Sequence, residues 1–316
     1  MTKHRIAVVG SVNLDLVVGV DRLPQPGETV LGGDVSYRSG GKGANQAVAA
    51  ARYGAEVELH ACIGGDGFGG RLIDELAGEG LDLARVKRVE AHPSGVALIV
   101  VDDAGSNTIT VAAGANAALT GESFGVSSSV ESAPDALLLQ LEIPMAAATK
   151  AARRAAGLGI PVTLNASPLL TVIGDELREL IARTDVLVVN ESEAATLHAV
   201  GDDWEQRARS LLEAGPRVVV VTLGADGAVA VSREETVIQA GFPVDPVDTT
   251  GAGDTFCGVL TTELVSGTGL TGAMRRACAA GAVATLRIGA REGMPTASEV
   301  ERFLAERAVP EQNDQD

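Results

Sequence analysis

Short apolar runs rich in β-branched residues alternate with Ala- and Leu-rich stretches along most of this chain. That alternation fixes the class of fold before any motif is considered. The expected strands are Ile6–Val9, Val57–Ile63, Ala136–Leu141, Val162–Asn165, Val186–Asn190, Val218–Thr222 and Ala228–Val231. Between them lie helical stretches such as Ala44–Tyr53, Arg71–Ala77, Ala146–Ala156, Asp175–Ile181 and Glu205–Glu213. Strands that are apolar on both faces require cover on both sides, and helices between them supply it. The expectation is an α/β fold with a mostly parallel central sheet and helices on both faces. Three more helical segments follow, near Gly253–Val265, Thr271–Arg287 and Ser298–Ala308. The residues from Pro310 on are Glu, Gln, Asn and Asp, and are expected to form a disordered tail.

Two stretches break the alternation. Leu14–Arg38 and Val86–Val111 hold short β-like runs with turn residues and no helical pattern, among them Val17–Val20, Val35-Ser36-Tyr37, Val96–Val101 and Thr108–Val111. They are expected to pair into a small separate sheet, a lid of the kind that often covers an active site. The expected division is 1–14, 39–85 and 112–309 for the α/β domain, 15–38 and 86–111 for the lid, and 310–316 for the tail.

Composition narrows the partners. The net charge is −17, which argues against a nucleic-acid footprint, since that needs a basic face. It leaves room for phosphorylated small molecules, which backbone N–H groups can bind. No apolar run of about 18 residues indicates a membrane span, and the first residues lack a signal-peptide pattern. Cys62, Cys257 and Cys278 are scattered and outside any CxxC pattern, as expected for reduced thiols in the cytoplasm. The four His show no zinc spacing.

The most informative stretch is Asp248-Thr249-Thr250-Gly251-Ala252-Gly253-Asp254-Thr255-Phe256. A glycine turn at a helix start presents unpaired N–H groups and the positive end of the helix dipole, an anion hole. Asp254 beside it could take a proton from an alcohol that attacks a phosphate. A second glycine turn, Gly40-Gly41-Lys42-Gly43-Ala44-Asn45-Gln46-Ala47, also leads into a helix. Asn45 could donate to and accept from sugar hydroxyls. Gly43 follows Lys42 where a Walker A loop needs Ser or Thr, so this is no P-loop. Gly65-Asp66-Gly67-Phe68-Gly69-Gly70 satisfies GxGxxG, but its setting and Glu90 fit a dinucleotide unit poorly. Asn190-Glu191-Ser192-Glu193 follows a strand; it reads as an acidic helix cap, or as a carboxylate holding Mg²⁺ through water. Thr222-Leu223-Gly224-Ala225-Asp226-Gly227 reads as an ordinary turn or a nucleotide-contacting loop.

Together with Gly10–Asp15 after the first strand and Leu141-Glu142, these blocks resemble the ribokinase-like (PfkB) family of carbohydrate kinases over residues 5–305. The order and spacing of six blocks carry the resemblance. It implies that Asn13 and Asp15 bind sugar hydroxyls, with Gly41, Lys42, Gly43, Ala44 and Asn45 completing the pocket and Glu142 lining it. It implies Asn190 and Glu193 near the triphosphate and Mg²⁺, and Thr222, Leu223, Gly224, Ala225, Asp226 and Gly227 around the nucleotide. Gly251, Ala252 and Gly253 resemble the anion hole, Gly253 also touching nucleotide, and Asp254 resembles the catalytic base. Asp248 and Thr250 resemble ligands of an activating monovalent cation, normally K⁺. The rest of that loop falls on Ala284, Arg287, Gly289 and Gly293. Family members often carry Ser at the position of Gly293, and Cys278 stands where a polar residue often faces the nucleotide base.

The activity so implied is ATP-dependent phosphorylation of the 5-hydroxyl of D-ribose, with ATP, Mg²⁺ and K⁺ as cofactors. Rival readings are another sugar or nucleoside kinase of the same fold, such as one acting on deoxyribose, and a sugar-binding regulator without catalysis. The apolar runs of the lid, Val96–Val101 above all, imply a homodimer built through it.

Overall fold

The computed structural model describes residues 3–122, 124, 133–169 and 173–307. Ala308 and the tail from 310 lie outside them. Among the described residues there are two sheets, one of nine strands and one of four.

The large sheet is built on β1 (Arg5–Val9), with β4 (Glu56–Gly64) on one side and β8 (Ala136–Leu139) on the other. It continues from β8 through β9 (Val162–Asn165), β10 (Val186–Asn190) and β11 (Val218–Thr222), all parallel. It then turns antiparallel with β12 (Gly227–Ser232) and β13 (Thr236–Ala240).

Successive strand residues face opposite sides of a sheet, so an all-apolar strand needs two cores. Ala7 and Val9, Leu137 and Leu139, and Val219 and Val221 enter one core with α3 (Met145–Leu158), α4 (Asp175–Ala182) and α6 (Trp204–Leu211). On the other face, Ile6, Val8 and Leu138 pack on α1 (Lys42–Arg52) and α2 (Gly67–Gly78). Val188 and Val220 pack there on α7 (Ala252–Val265), α8 (Leu270–Ala284) and α9 (Ala297–Glu306). A short α5 (Glu191–Thr196) follows β10. Burying one such Val or Leu side chain stabilises by about 1.5–3 kcal/mol.

The small sheet has the order β3-β2-β6-β7. It consists of β2 (Asn13–Val20), β3 (Ser36–Gly40), β6 (Gly95–Asp102) and β7 (Asn107–Ala112). The two stretches that break the alternation do pair here, β2 lying parallel to β6. One part of the expectation is corrected. Val86–Val89 forms β5, which pairs parallel with β4 at the edge of the large sheet instead of joining the lid. Lys87 and Arg88 point to solvent there, as edge strands tolerate. The helix expected to reach Arg287 ends at Ala284, and an irregular loop takes over.

Asp66 explains the GxGxxG run. It caps α2, Oδ1 accepting from the Gly69 N–H at 2.9 Å and from Ser94 Oγ at 2.6 Å. The glycines open a helix whose cap also ties down the start of the lid.

Candidate active site

The C-terminal ends of the parallel strands β1, β8, β9, β10 and β11 lie along one edge of the large sheet, where open α/β sheets place their ligand sites. Those ends supply or lead into Ser11 and Asn13, Glu142, Asn165, Asn190 and Thr222. The small sheet starts at this edge, because only Gly10, Ser11 and Val12 separate β1 from β2.

Asp254 sits in the first turn of α7, only 7% exposed. Both of its oxygens accept hydrogen bonds, Oδ2 from Asn45 Nδ2 and Oδ1 from Gln46 Nε2, each at 3.0 Å. Gln46 also donates to Asn165 Oδ1 at 3.2 Å and accepts from Gln140 Nε2 at 2.7 Å. The start of α7 has no side-chain cap. Gly251 precedes it with φ +78°, and a Cβ there would meet Ala290 Cα at 2.9 Å. The N–H groups of a first helical turn have no partner inside the helix. Those of Ala252, Gly253 and Asp254 belong to that turn, with Ala252 also reaching the Thr249 carbonyl at 3.3 Å.

Glu142 ties the first strand to α1. Its Oε2 accepts from Ser11 Oγ at 2.6 Å, the Lys42 N–H at 3.0 Å and Asn13 Nδ2 at 3.4 Å. Asn13 Oδ1 in turn accepts from Asn116 Nδ2 at 2.7 Å. Gly41, at φ +89°, and Gly43 bring α1 against this turn; a Cβ on Gly43 would lie 2.5 Å from the backbone of Gly10. Ala44 completes the approach, its N–H donating to the Ser11 carbonyl at 2.9 Å.

Asp15, on β2, faces the same space. Burial pushes its carboxyl up to about 6, with the charges of Glu142 and Asp254 adding to the effect and Arg291 and Arg38 opposing it. Burial alone would lower Lys42, but the carboxylates of Asp254, Glu142 and Glu193 outweigh it and hold the ammonium above its ordinary range.

Asn190 and Glu193 make a reciprocal capping box at the start of α5: the Glu193 N–H donates to Asn190 Oδ1 at 2.8 Å, the Asn190 N–H to Glu193 Oε2 at 2.9 Å. The helix-cap alternative therefore accounts for one carboxylate oxygen of Glu193. Asn190 lies directly beside Thr222 across the β10–β11 pair. From Thr222 the chain makes a tight turn, with the Leu223 N–H donating to the Gly227 carbonyl at 2.8 Å. Gly224, Ala225 and Asp226 form one 3-10 turn within it. Cys278, on α8, packs against the core shared by α7, α8 and α9, and burial pushes its thiol up to about 12.

Asp248 is already occupied. Oδ1 accepts from the Thr250 N–H and Oδ2 from the Gly289 N–H, both at 2.9 Å, and Arg38 Nη1 lies 3.2 Å from Oδ2. Burial would raise this carboxyl, but these hydrogen bonds and Arg38 hold it below the ordinary carboxylate range. Arg287 turns outward to Glu299 Oε1 at 3.0 Å. The carbonyls of Ala284 and Gly289 converge on Gly293: a Cβ there would meet them at 2.2 and 3.3 Å. A serine would not fit this loop as it stands, which explains the glycine. The carbonyl oxygens suit a large monovalent cation, which takes neutral oxygen donors. Among the described residues no three His, Cys, Asp or Glu side chains gather to hold a metal.

Gln46, Asn165, Gln140, Asn116, Arg38 and Arg291 are site residues that the sequence did not single out by function. Gln46 lies within the Gly40–Ala47 stretch, and its place beside Asn45 is its signal in the sequence.

The fold and this site define a sugar kinase, and the comparisons agree. The model of the pfkB family carbohydrate kinases matches residues 3–297, so the chain belongs to that family. It is an ATP-dependent carbohydrate kinase. The chain is 38% identical over 306 residues to the ribokinase of Haemophilus influenzae, covering 96% of this chain and 99% of that one. It is 32% identical to a deoxyribokinase of Salmonella typhi, covering 95% and 98%. The structure of Arabidopsis thaliana ribokinase complexed with ribose and ATP superposes with a TM-score of 0.84 at 30% identity, covering 96% and 99%.

Proposed function

We propose that this protein transfers the γ-phosphoryl group of ATP to the 5-hydroxyl of D-ribose. The observation that carries the reading is Asp254 at the uncapped start of α7, held by Asn45 and Gln46 across from Asp15. Phosphoryl transfer asks for positioning and charge stabilisation more than covalent chemistry. Asp15 and Asn45 bind and orient the sugar, with Glu142 fixing the turn beneath it. Asp254 accepts the hydroxyl proton, an effect worth about 10²–10⁴-fold. The first N–H groups of α7 face the charge that develops on the transferred group. Thr222–Gly227, Asn190 and the α8 face around Cys278 flank the nucleotide.

Glu193 would hold Mg²⁺ through water, and the ion would supply neutralisation of the triphosphate charge. The carbonyls of Ala284 and Gly289, with Asp248 and Thr250, would hold K⁺ and stiffen the loop before α7. The three cysteines carry no disulfide, and among the described residues no helix is long and apolar enough to cross a membrane; a cytoplasmic enzyme is the reading these features support.

The lid supports a homodimer. Residues directly opposite in a sheet share a face, so Val17, Ile99 and Ile109 form one row and Asp15, Ala97 and Val111 the next, the apolar patch adjoining the carboxyl proposed to bind sugar. Ile109 and Val111 are 56% and 46% exposed. A second lid laid on these rows would cover them.

The deciding experiment measures ADP release with D-ribose, 2-deoxyribose, other pentoses, hexoses and nucleosides, with and without K⁺. D-Ribose should give the highest kcat/KM. A clear preference for 2-deoxyribose or a nucleoside would replace the substrate, and no turnover on any of them would leave the sugar-binding regulator.

A further inference from the structure

Arg291 lies in the loop after α8 and is only 6% exposed. Its guanidinium makes two hydrogen bonds, Nε to Asn45 Oδ1 at 3.1 Å and Nη2 to the Gly40 carbonyl at 2.8 Å. Nη1 is buried without a protein partner. Taking a guanidinium out of water is costly. Burial lowers this one to about 10, with the charges of Glu75, Asp15, Glu79 and Glu292 opposing the fall, so it remains charged at neutral pH. A glutamine could satisfy the same two acceptors with its two amide hydrogens, leaving no donor unpaired and burying no charge. Stability alone therefore does not explain an arginine here.

Its chemistry does. Arginine has donors only, and an ionised carboxylate has acceptors only. Asn45 lies between Arg291 and Asp254. It must turn Oδ1 to the guanidinium and Nδ2 to the carboxylate, since the flipped amide would set donor against donor and acceptor against acceptor. The second bond acts on the same place through the backbone. Gly40 ends β3 and leads through Gly41 into α1, the helix that carries Asn45 and Gln46. The neighbouring residue Ala290 packs against Gly251, at the start of α7.

We infer that Arg291 is a positioning residue for phosphoryl transfer: it locks the Asn45 amide in the orientation that holds Asp254 and pins the β3–α1 turn beneath the sugar. Its charge has a second effect. Asp15 is faced by Glu142, Asp254, Arg38 and Arg291, and the two arginines favour its ionised form. The inference rests on the sugar-kinase reading above.

The test compares wild type, Arg291→Met and Arg291→Lys as full chains, using the sugar that the wild type phosphorylates best. Arg291→Met should lose about tenfold to a hundredfold in kcat, the scale expected when a reacting group is misplaced. Its KM for the sugar should rise while KM for ATP stays within about twofold. Without the positive charge the Asp15 carboxyl rises, so the acidic limb of kcat/KM for the sugar should move to higher pH. Arg291→Lys should restore that limb but not kcat. Asn45→Ala should cost wild type far more than it costs Arg291→Met, because the two act as one unit. Wild-type kcat, sugar KM and acidic limb in Arg291→Met would overturn the inference, whatever happens to its melting temperature. If Arg291→Met does not fold, Arg291→Lys decides: wild-type kcat overturns the inference and a lowered kcat supports it. No turnover by the wild type on any sugar would overturn the substrate reading and this inference together.

Discussion

Replacing Asp254 by Asn removes the proposed base and also sets a contest among amides. In the wild type both carboxylate oxygens accept an N–H, one from Asn45 and one from Gln46. An asparagine has one oxygen and one NH₂, so it can match only one of them. Asn45 cannot flip, because Arg291 Nε needs its Oδ1. Gln46 could flip only by breaking its bonds with Asn165 and Gln140. The variant should thus keep its Asn45 contact and leave one buried polar group unpaired near Gln46. That costs about 1–3 kcal/mol, or roughly 2 °C of melting temperature per kcal/mol in a chain of this size. Loss of the base should lower kcat by about 10²–10⁴-fold, a barrier rise of about 3–5 kcal/mol. Sugar affinity should change little. Calorimetry gives the stability and coupled ADP release gives kcat. Asp254→Ala should lose the same rate but more stability, since it leaves both donors unpaired. More than about a tenth of wild-type kcat in Asp254→Asn would refute the base assignment. Equal stability losses in Asn and Ala would refute the amide argument.

Further outcomes follow from the same geometry. Sugar affinity measured by calorimetric titration should fall as pH drops through about 6, where Asp15 protonates, while ATP affinity does not follow. The folded-state pKa of Asp15 lies above its ordinary 3.8, so ionising it opposes folding. Asp15→Asn should therefore melt higher than wild type above pH 6, with the gain fading between pH 6 and pH 4; a constant gain would count against the raised pKa. K⁺ should raise activity above that in Na⁺ or a bulky organic cation, and Gly293→Ser should lose the K⁺ effect, since its Cβ would meet the Ala284 carbonyl. A serine variant with undiminished K⁺ activation would show that the loop yields. Ile109→Arg should halve the mass measured by light scattering; an unchanged dimer would place the interface elsewhere.

The layered sheet was legible because it is local physics. Strands apolar on both faces need two cores, and Ile6–Val9 or Val218–Thr222 state that need within five residues. Edge strands state it less clearly. Val86-Lys87-Arg88-Val89 carries charges on both faces because this short edge strand is open to solvent, and the same pattern suits a lid hairpin. Likewise β13, with Thr236 and Gln239, resembles a turn region until it is seen paired with β12. In the site, the glycine turns and Asp254 could be read because a helix N-terminus is written in consecutive residues. Arg291 could not: its contact with Asn45 spans 246 residues, and its burial is decided by packing alone. The Arg38–Asp248 pair, 210 residues apart, is equally silent in sequence.

The amides behind Asp254 have a consequence for the proton it would accept as the proposed base. Asn45 and Gln46, and beyond them Asn165 and Gln140, are neutral groups that do not titrate near neutral pH. They hold the carboxylate still but offer no relay into the interior. In the proposed reaction, a proton taken from the sugar hydroxyl would leave on the side from which it came, with the departing phosphorylated product or through water admitted to the site. Recharging the base is thereby tied to uncovering it. In the proposed cycle, uncovering the site would then do two things at once, releasing the product and returning Asp254 to the ionised form that the next sugar requires.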